Sequence, residues 1–517
     1  MISSSWTAGY VAELEYTHGY FRELSPAMMD FALVVQMYAG LPSRPLRYLE
    51  LGYGQGLSVN IHAAGRAGEY WGTDFNPAQA ANAQSLAQAC GSGAVLLDDS
   101  FEELAARPDL PVFDVIALHG IWSWISDQNR RVIVDLVHRK LAVGGVLYIS
   151  YNCLPGWAPA LPLRHLLTLH ADAAGSDAQG LAGRIDAALA FAQRVVDSGA
   201  AYFKVNPGVA ERLKKISEQN RNYLAHEYFN RDWHPMHFSE LAEMFSEAKL
   251  THAASANLLD HFDVLNLTPD AQKLLGELKH PVLRESVRDY VVGQQFRKDL
   301  FVKGPRRLSP LQQRERLERQ HFVLTMRAAD VPMKVKGALG DATLQENVYR
   351  PVLDALEEDG GRPQALARLV RNPRLKDLQY SQIVQALTIL IGADHAGTAQ
   401  DPEAVSAAKA RTDALNAHLM ARARSSADVA YLASPVTGEG VAANRIQQLF
   451  LLALGEGRKT PEEWAKHAWA ILSAQGHRLR KDDKPLETME DNIAELLRQA
   501  NEFETKRLPV LRALGIC

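Results

Sequence analysis

The chain has 517 residues, 47% of them hydrophobic and 22% charged, with a net charge of −4 at pH 7. That length calls for about two to four domains with sizeable cores, and no global basic field is present to attract nucleic acid. Its three cysteines, Cys90, Cys153 and Cys517, form no CxxC pair, so neither a zinc site nor a disulfide framework is expected and a reducing cytoplasm is the simplest setting.

In chain order, the first residues, Met1-Ile-Ser-Ser-Ser-Trp-Thr7, lack a basic region followed by an apolar core, so no secretory leader is expected. No apolar run reaches about 18 residues, so no membrane span is expected either. Tyr10, Tyr16, His18, Tyr20 and Phe21 make an aromatic arm. It either folds over a ligand or packs the next helix onto a sheet edge. That helix begins after Ser25 and ends at Gly40. Arg47 to Gly56 reads Arg-Tyr-Leu-Glu-Leu-Gly-Tyr-Gly-Gln-Gly, an apolar strand running into a glycine turn. Gly52, Gly54 and Gly56 allow a tight turn and close approach of a ligand. A second strand, Tyr70-Trp-Gly-Thr-Asp74, ends on an acid that suits a ribose diol, because a carboxylate accepts two hydroxyl hydrogen bonds. Ala94–Leu97 is a third strand, followed by Asp98-Asp99-Ser100-Phe101. Phe113–Leu118 is a fourth, ending at His119-Gly120. A helix over 127–141 and a strand over 146–150 come next. Strands alternating with helices imply a parallel sheet with its ligand at the strands' C-terminal ends.

The spacing Glu50-x-Gly52-x-Gly54-x-Gly56 resembles motif I of class I S-adenosylmethionine (SAM) methyltransferases. An acid inside the strand end is awkward beside a dinucleotide pyrophosphate and acceptable near the amino group of SAM. The resemblance implies a cofactor site of Glu50, Gly52, Tyr53, Gly54, Gly56, Asp74, Phe75, Asp99, Ser100, Phe101 and His119, with Tyr16 and Tyr20 contributed by the arm. Three groups are candidates for the acceptor side. His119-Gly-Ile-Trp-Ser-Trp124 offers His119 as a polar contact and Trp122 and Trp124 as the walls of an amine channel; a buried histidine with two core tryptophans is the alternative. Tyr151 and Asn152 are polar tips at the end of strand five, or simply a strand-end cap. Asn222 to Asn230, followed by Asp232-Trp-His-Pro235, offers Tyr223, His226 and Glu227 from a lid, or else forms a structural hydrogen-bond network. His234 and His237, separated by Pro235, are not a clean metal-ligand pair, and no metal is expected.

Residues 157–232 read as a helical insertion between the fifth strand and a closing helix–strand pair at 237–256, placed to roof the cleft as a lid. The charge-rich stretch 268–303 reads as helical with a solvated face. Residues 344–398 have a three-helix rhythm followed by a short strand, the order of a winged-helix module. The third helix has no Lys or Arg, so a protein-interaction or scaffold role is favoured over DNA reading. The expected architecture is α/β, a Rossmann-like class I methyltransferase sheet with a helical insertion, followed by a mostly α region. Its divisions are a methyltransferase domain at 1–265 (arm 1–45, lid about 157–232), a helical regulatory or linker region at 266–335, a winged-helix-like module at 336–400 and a helical region at 401–517, the last a candidate homodimer surface.

His119-Gly-Ile-Trp-Ser-Trp-Ile125, Ser150-Tyr-Asn-Cys-Leu-Pro-Gly-Trp157, Tyr223-Leu-Ala-His-Glu-Tyr228 and Phe296-Arg-Lys-Asp-Leu-Phe301 resemble a bacterial family. In it a class I methyltransferase domain precedes a methyltransferase regulatory domain. Ala430–Thr437 and Lys484–Thr488 are similar to its C-terminal region. The best-studied members act on lysines of bacterial outer-membrane proteins, which implies lysine methylation of a protein here. The arm Glu15 to Pro26 differs from the proline-rich arm of those enzymes. A small molecule or surface glycan as acceptor, and a SAM-binding scaffold without catalysis, remain open.

Overall fold

Side-chain alternation at period two decides how the central sheet is packed. In the computed structural model, which describes residues 18–174, 180–482 and 484–517, β1 (Leu46–Leu51) sends Tyr48 into one apolar cluster and Leu49 and Leu51 into another on the opposite face. Before it, α1 (Pro26–Val35) is started by Ser25, whose side chain accepts from the Ala27 N–H. After it come α2 (Leu57–Gly65), β2 (Gly68–Thr73), α3 (Pro77–Cys90), β3 (Val95–Leu97), α4 (Phe101–Ala106), β4 (Phe113–Leu118), α5 (Asp127–Lys140) and β5 (Leu141–Asn152). These strands pair in parallel in the order β3-β2-β1-β4-β5. Every residue of β4 is buried, as a parallel strand covered on both faces requires. On one face Tyr48, Val115, Ala117 and Tyr148 pack with Met29, Phe31 and Val59; on the other Leu49, Ile116 and Leu147 pack with Ile133 and Val137.

Helices α6 (Leu161–Ala174), α7 (Gly180–Asp197), α8 (Ala201–Val205), α9 (Pro207–Ser217) and α10 (Arg221–Tyr228) interrupt the sheet. They have an apolar cluster of their own, including Leu163, Leu167, Ile185, Ala188, Leu213 and Leu224. The chain returns through α11 (Phe238–Glu247) and β6 (Leu250–Ser255), then α12 (Asp263–Asn266), α13 (Pro269–Glu277) and α14 (Pro281–Val292).

The expectation of helix throughout 268–303 fails at its end. Residues Phe296–Lys303 form β7, which lies between β5 and β6 and runs antiparallel to both. The completed order is β3-β2-β1-β4-β5-β7-β6, so the sheet closes at residue 303, beyond the boundary placed at 265. Leu300 and Val302 enter one core and Phe301 the other. Asp270, Lys273, Glu277 and Lys279 are exposed as expected, but the charges closer to the strand are not a solvated face: Arg297, 5% exposed, donates to Asp299 (2.8 Å) and Glu285 (3.1 Å).

Downstream lie α15 (Pro310–Glu318), β8 (His321–Leu324), the hairpin β9 (Lys334–Gly337) and β10 (Gly340–Thr343), α16 (Glu346–Gly361), β11 (Gln364–Ala365), α17 (Leu366–Leu369), α18 (Tyr380–Gly392) and β12 (Ala396–Ala399). The small sheet β11-β8-β12 takes its centre from β8, ahead of the three helices. α18 buries Ile383, Leu387 and Leu390 in the main core, and β12 leads straight into α19 (Pro402–Arg422). α19 lies against α2 and α3. The strands β13 (Tyr431–Ala433) and β14 (Gly440–Ala442), helices α20 (Arg445–Gly455) and α21 (Pro461–Ala474), the short strands β15 (Arg480–Lys481) and β16 (Lys484–Pro485), and helices α22 (Met489–Glu502) and α23 (Leu508–Ala513) follow in this region. It reaches back to the segment before α1. Arg22 donates to the carbonyls of Ile391 (2.6 Å) and Ala396 (2.7 Å) and pairs with Asp394, and the Ser25 hydroxyl donates to Glu439 (2.7 Å). No helix of the described residues is long and apolar enough to cross a membrane.

Candidate active site

A cleft of about 240 Å³ opens at the C-terminal ends of the parallel strands, where open α/β sheets bind ligands. The turn after β1 builds its floor. Gly52, Gly54 and Gly56 have φ of 70°, 58° and 72°, a region costly for side chains with Cβ. A Cβ on Gly52 would sit 2.7 Å from the Ile121 side chain, and one on Gly56 2.4 Å from the Ala83 Cβ. The first glycine keeps the floor close to the loop after β4. The second lets α2 meet α3 and does not itself line the cleft.

Two acids stand at the strand ends. Glu50 is buried and accepts from the Tyr48 hydroxyl at 3.0 Å; burial pushes its pKa up to about 8. Asp74 accepts from the N–H groups of Gly54 (2.8 Å) and Asn76 (3.1 Å), yet burial still raises it to about 6. Tyr53 also lines the floor, with its hydroxyl on the Leu97 carbonyl at 2.6 Å. Phe75, Asp99, Ser100 and Phe101 form the next wall. Asp99 pairs with Arg107 at 3.2 Å. The Ser100 hydroxyl is engaged as the N-cap of α4, accepting from the Glu103 N–H at 3.2 Å. His119 stacks on Phe21 with centroids 3.9 Å apart and shares a 2.8 Å hydrogen bond between Nδ1 and the Tyr148 hydroxyl. Burial drives its pKa down to about 4, so it is neutral at pH 7.

The opposite wall carries Trp124, Glu227, Asn230 and Asp232. Burial raises Glu227 to about 7 against the pull of Arg212. Six carboxylates line the cleft, those of Glu50, Asp74, Asp99, Glu102, Glu227 and Asp232, and no Lys or Arg does among the described residues.

Four sequence candidates are turned elsewhere. Trp122 is fully buried; its indole N–H points at the Met236 sulfur (3.3 Å) and its ring packs on Phe245. It shares a 3₁₀ turn with Trp124, and residues two apart on such a turn project in different directions. Tyr151 is buried with its hydroxyl donating to Asp299 (3.0 Å), a partner supplied by β7. Asn152 is buried beside it, its backbone bonded to the Ser123 hydroxyl and the Met236 N–H. The Tyr20 hydroxyl bonds His62 Nε2 at 3.2 Å and its ring packs near Tyr431; its chain neighbours Gly19 and Phe21 line the cleft instead. Tyr16 and the side chains of Tyr223 and His226 lie outside the described residues. Gln79, Asn129, Asn230 and Asp232 reach the cleft without having been singled out. Asp232 was legible only as a neighbour of the Glu227 segment.

The cleft fits SAM on its own terms. The glycine floor leaves room for close approach, an acid without a basic partner among the described residues stands at each of the first two strand ends, and the lining leaves a sulfonium cation unopposed by Lys or Arg. Comparison with known proteins agrees. The family described as "Methyltransferase domain" matches residues 49–149, and "Predicted methyltransferase regulatory domain" matches 220–303. The chain is 38% identical over 515 residues to sll1526 of Synechocystis sp., covering 99% of this chain and 100% of that protein. Among solved structures, PKMT2 from Rickettsia typhi, free and in complex with AdoHcy, shares the fold with a TM-score of 0.68 at 15% identity, over 97% of this chain and 100% of that one. The chain belongs to the same family as sll1526 and is a class I SAM-dependent methyltransferase with a methyltransferase regulatory domain.

Proposed function

We propose that the enzyme methylates a primary amine, a lysine side chain of a protein. The observation that carries this reading is the acceptor wall, where Trp124 stands with Glu227 and Asp232 in a cleft lined by carboxylates. An ammonium is drawn to such a wall by charge and by the indole face. It has no lone pair until it loses a proton, and Glu227, held near pH 7, is matched to take it. SAM, when bound, supplies the electrophilic methyl. In this reading Asp74 accepts from the ribose hydroxyls, Glu50 faces the amino group, and Asp99 and Phe101 meet the adenine. Gly52 and Gly54 keep backbone close to the ligand. His119, neutral and stacked on Phe21, shapes the floor and carries no charge. Helices α6–α10 act as a lid, since Glu227 comes from α10 and Asn230 and Asp232 from just after it. Free, buried Cys90 and Cys153 fit a reducing compartment such as the cytoplasm. The shared fold of PKMT2 over the whole chain supports a large acceptor, because the C-terminal region is common to both. The test is incubation of purified enzyme with labelled SAM and the proteome of its own source. Methyl-lysine found by mass spectrometry supports the reading; label confined to small molecules or glycans overturns it.

A further inference from the structure

A second cavity, of about 280 Å³, lies away from the cleft among β6, β7, α14 and the end of α1. Its residues from 252 to 299 all fall in the segment matched to the regulatory domain. Acids and bases both line it, but the acids are already satisfied. Asp299 and Glu285 are paired to Arg297, Asp263 is paired to Arg284 at 3.5 Å, and Asp260 accepts from the Ser255 hydroxyl and the Asn257 amide.

The bases are not. Arg288 is only 7% exposed, yet among the described residues it forms no ion pair, and its one hydrogen bond runs from Nη2 to the Asp260 carbonyl at 3.1 Å. A guanidinium has five N–H donors, and the carboxylate that acts on Arg288, that of Glu285, does so through space and not as an ion pair. His261 faces the same space. Its Nε2 bonds the Ser255 carbonyl at 2.7 Å, while its buried Nδ1 has no partner. At the mouth, exposed Arg307 lies over the Tyr38 ring and bonds the Gln36 carbonyl, again without an ion pair among the described residues.

We propose that this cavity is a binding site for a small free oxyanion, a phosphate or a carboxylate, held by Arg288 and Arg307, with His261 taking up a proton at Nδ1 to meet it. A tetrahedral or planar oxyanion accepts the fork of Arg288 in bidentate fashion. It also supplies an anionic acceptor at hydrogen-bond distance, which among the described residues no carboxylate gives Arg288. The size admits a small anion with some of its water.

Calorimetric titration of the full-length enzyme tests this, with inorganic phosphate in one arm and malonate in the other, against chloride at equal ionic strength. Saturable binding of either is the expected result, and the arm that binds tighter identifies the anion. Arg288→Met should weaken it at least tenfold, while Arg288→Lys, which keeps the charge, should retain part of it. Should Arg288→Met not fold, His261→Gln and the imidazole resonances of His261 serve instead: the variant should bind several-fold more weakly, and the resonances should shift on titration. Absence of saturable binding below about 10 mM in both arms, or equal affinity in the wild type and in the variant that folds, overturns the proposal.

Discussion

The cleft at the ends of β1, β2 and β4 and the cavity beside β6 and β7 are similar in size and opposite in what they leave unsatisfied. In the first, the acids at the strand ends have no basic partner: Glu50 and Asp74 are held by a hydroxyl and by backbone N–H groups, and no Lys or Arg lines the space among the described residues. In the second, Asp263, Glu285 and Asp299 pair with Arg284 and Arg297, Asp260 is held by Ser255 and Asn257, and among the described residues Arg288 and Arg307 have no ion pair and the Nδ1 of His261 has no partner. The chain as a whole has a net charge of −4, which describes neither place. Ligand charge is read from which groups are already paired, not from the total.

The sharpest way to break this contrast is at Glu227. Glu227→Gln keeps the shape and removes the base, so kcat should fall by about 10²–10⁴-fold while AdoHcy affinity, followed by calorimetry, stays within about twofold. Wild-type rate should rise as pH climbs through about 7, where Glu227 loses its proton; the variant should lack that limb. Unchanged turnover would make the acidic wall mere surface. Next in size is Asp74→Ala. It removes two charge-assisted hydrogen bonds to the ribose, each worth roughly 1.5–3 kcal/mol, so AdoHcy should bind at least about tenfold more weakly. An unaltered dissociation constant would move the diol elsewhere. Trp124→Ala should cost turnover about three- to tenfold through lost cation–π attraction and leave AdoHcy binding alone. Comparable losses in both would make it a cofactor wall instead. The smallest effect is a fraction of a proton. Glu50, raised to about 8, is protonated in the free enzyme at pH 7. A ligand ammonium beside it favours the carboxylate, so AdoHcy binding at pH 7 should release protons. Calorimetry in buffers of different ionisation enthalpy measures this, and proton uptake would take Glu50 out of the amino-group site.

The parts of the site that could be read from the sequence are those whose chemistry is local. A strand, a turn that needs positive φ and an acid at the next strand end occupy consecutive residues, so Gly52, Gly54 and Asp74 were visible at once. Trp124 and Glu227 also line the cleft, although the helices between them in sequence hid that they share it. The misreadings share one cause, a partner distant in sequence. Tyr151 is claimed by Asp299 on β7, a strand whose buried ion network imitates the charge pattern of an exposed helix. Tyr20 is claimed by His62 and by the C-terminal region. Trp122 and Trp124 look alike on paper, and only the sense of a 3₁₀ turn separates core from cleft.

The hold of the C-terminal region on the segment before α1 also has a consequence in time. Phe21 and Leu24 line the cleft, and Arg22 between them takes its acceptors from Ile391, Ala396 and Glu439. Synthesis proceeds from the N-terminus at about 5–20 residues per second, and domains fold as they emerge. The sheet therefore has its strands about 4–27 s before the anchors of Arg22 exist. The rim of the cleft is the last part of the site to be finished, so a nascent chain carries the glycine turn and its acids without a completed pocket, and catalytic competence arrives only when the far end of the polypeptide has folded back over its beginning.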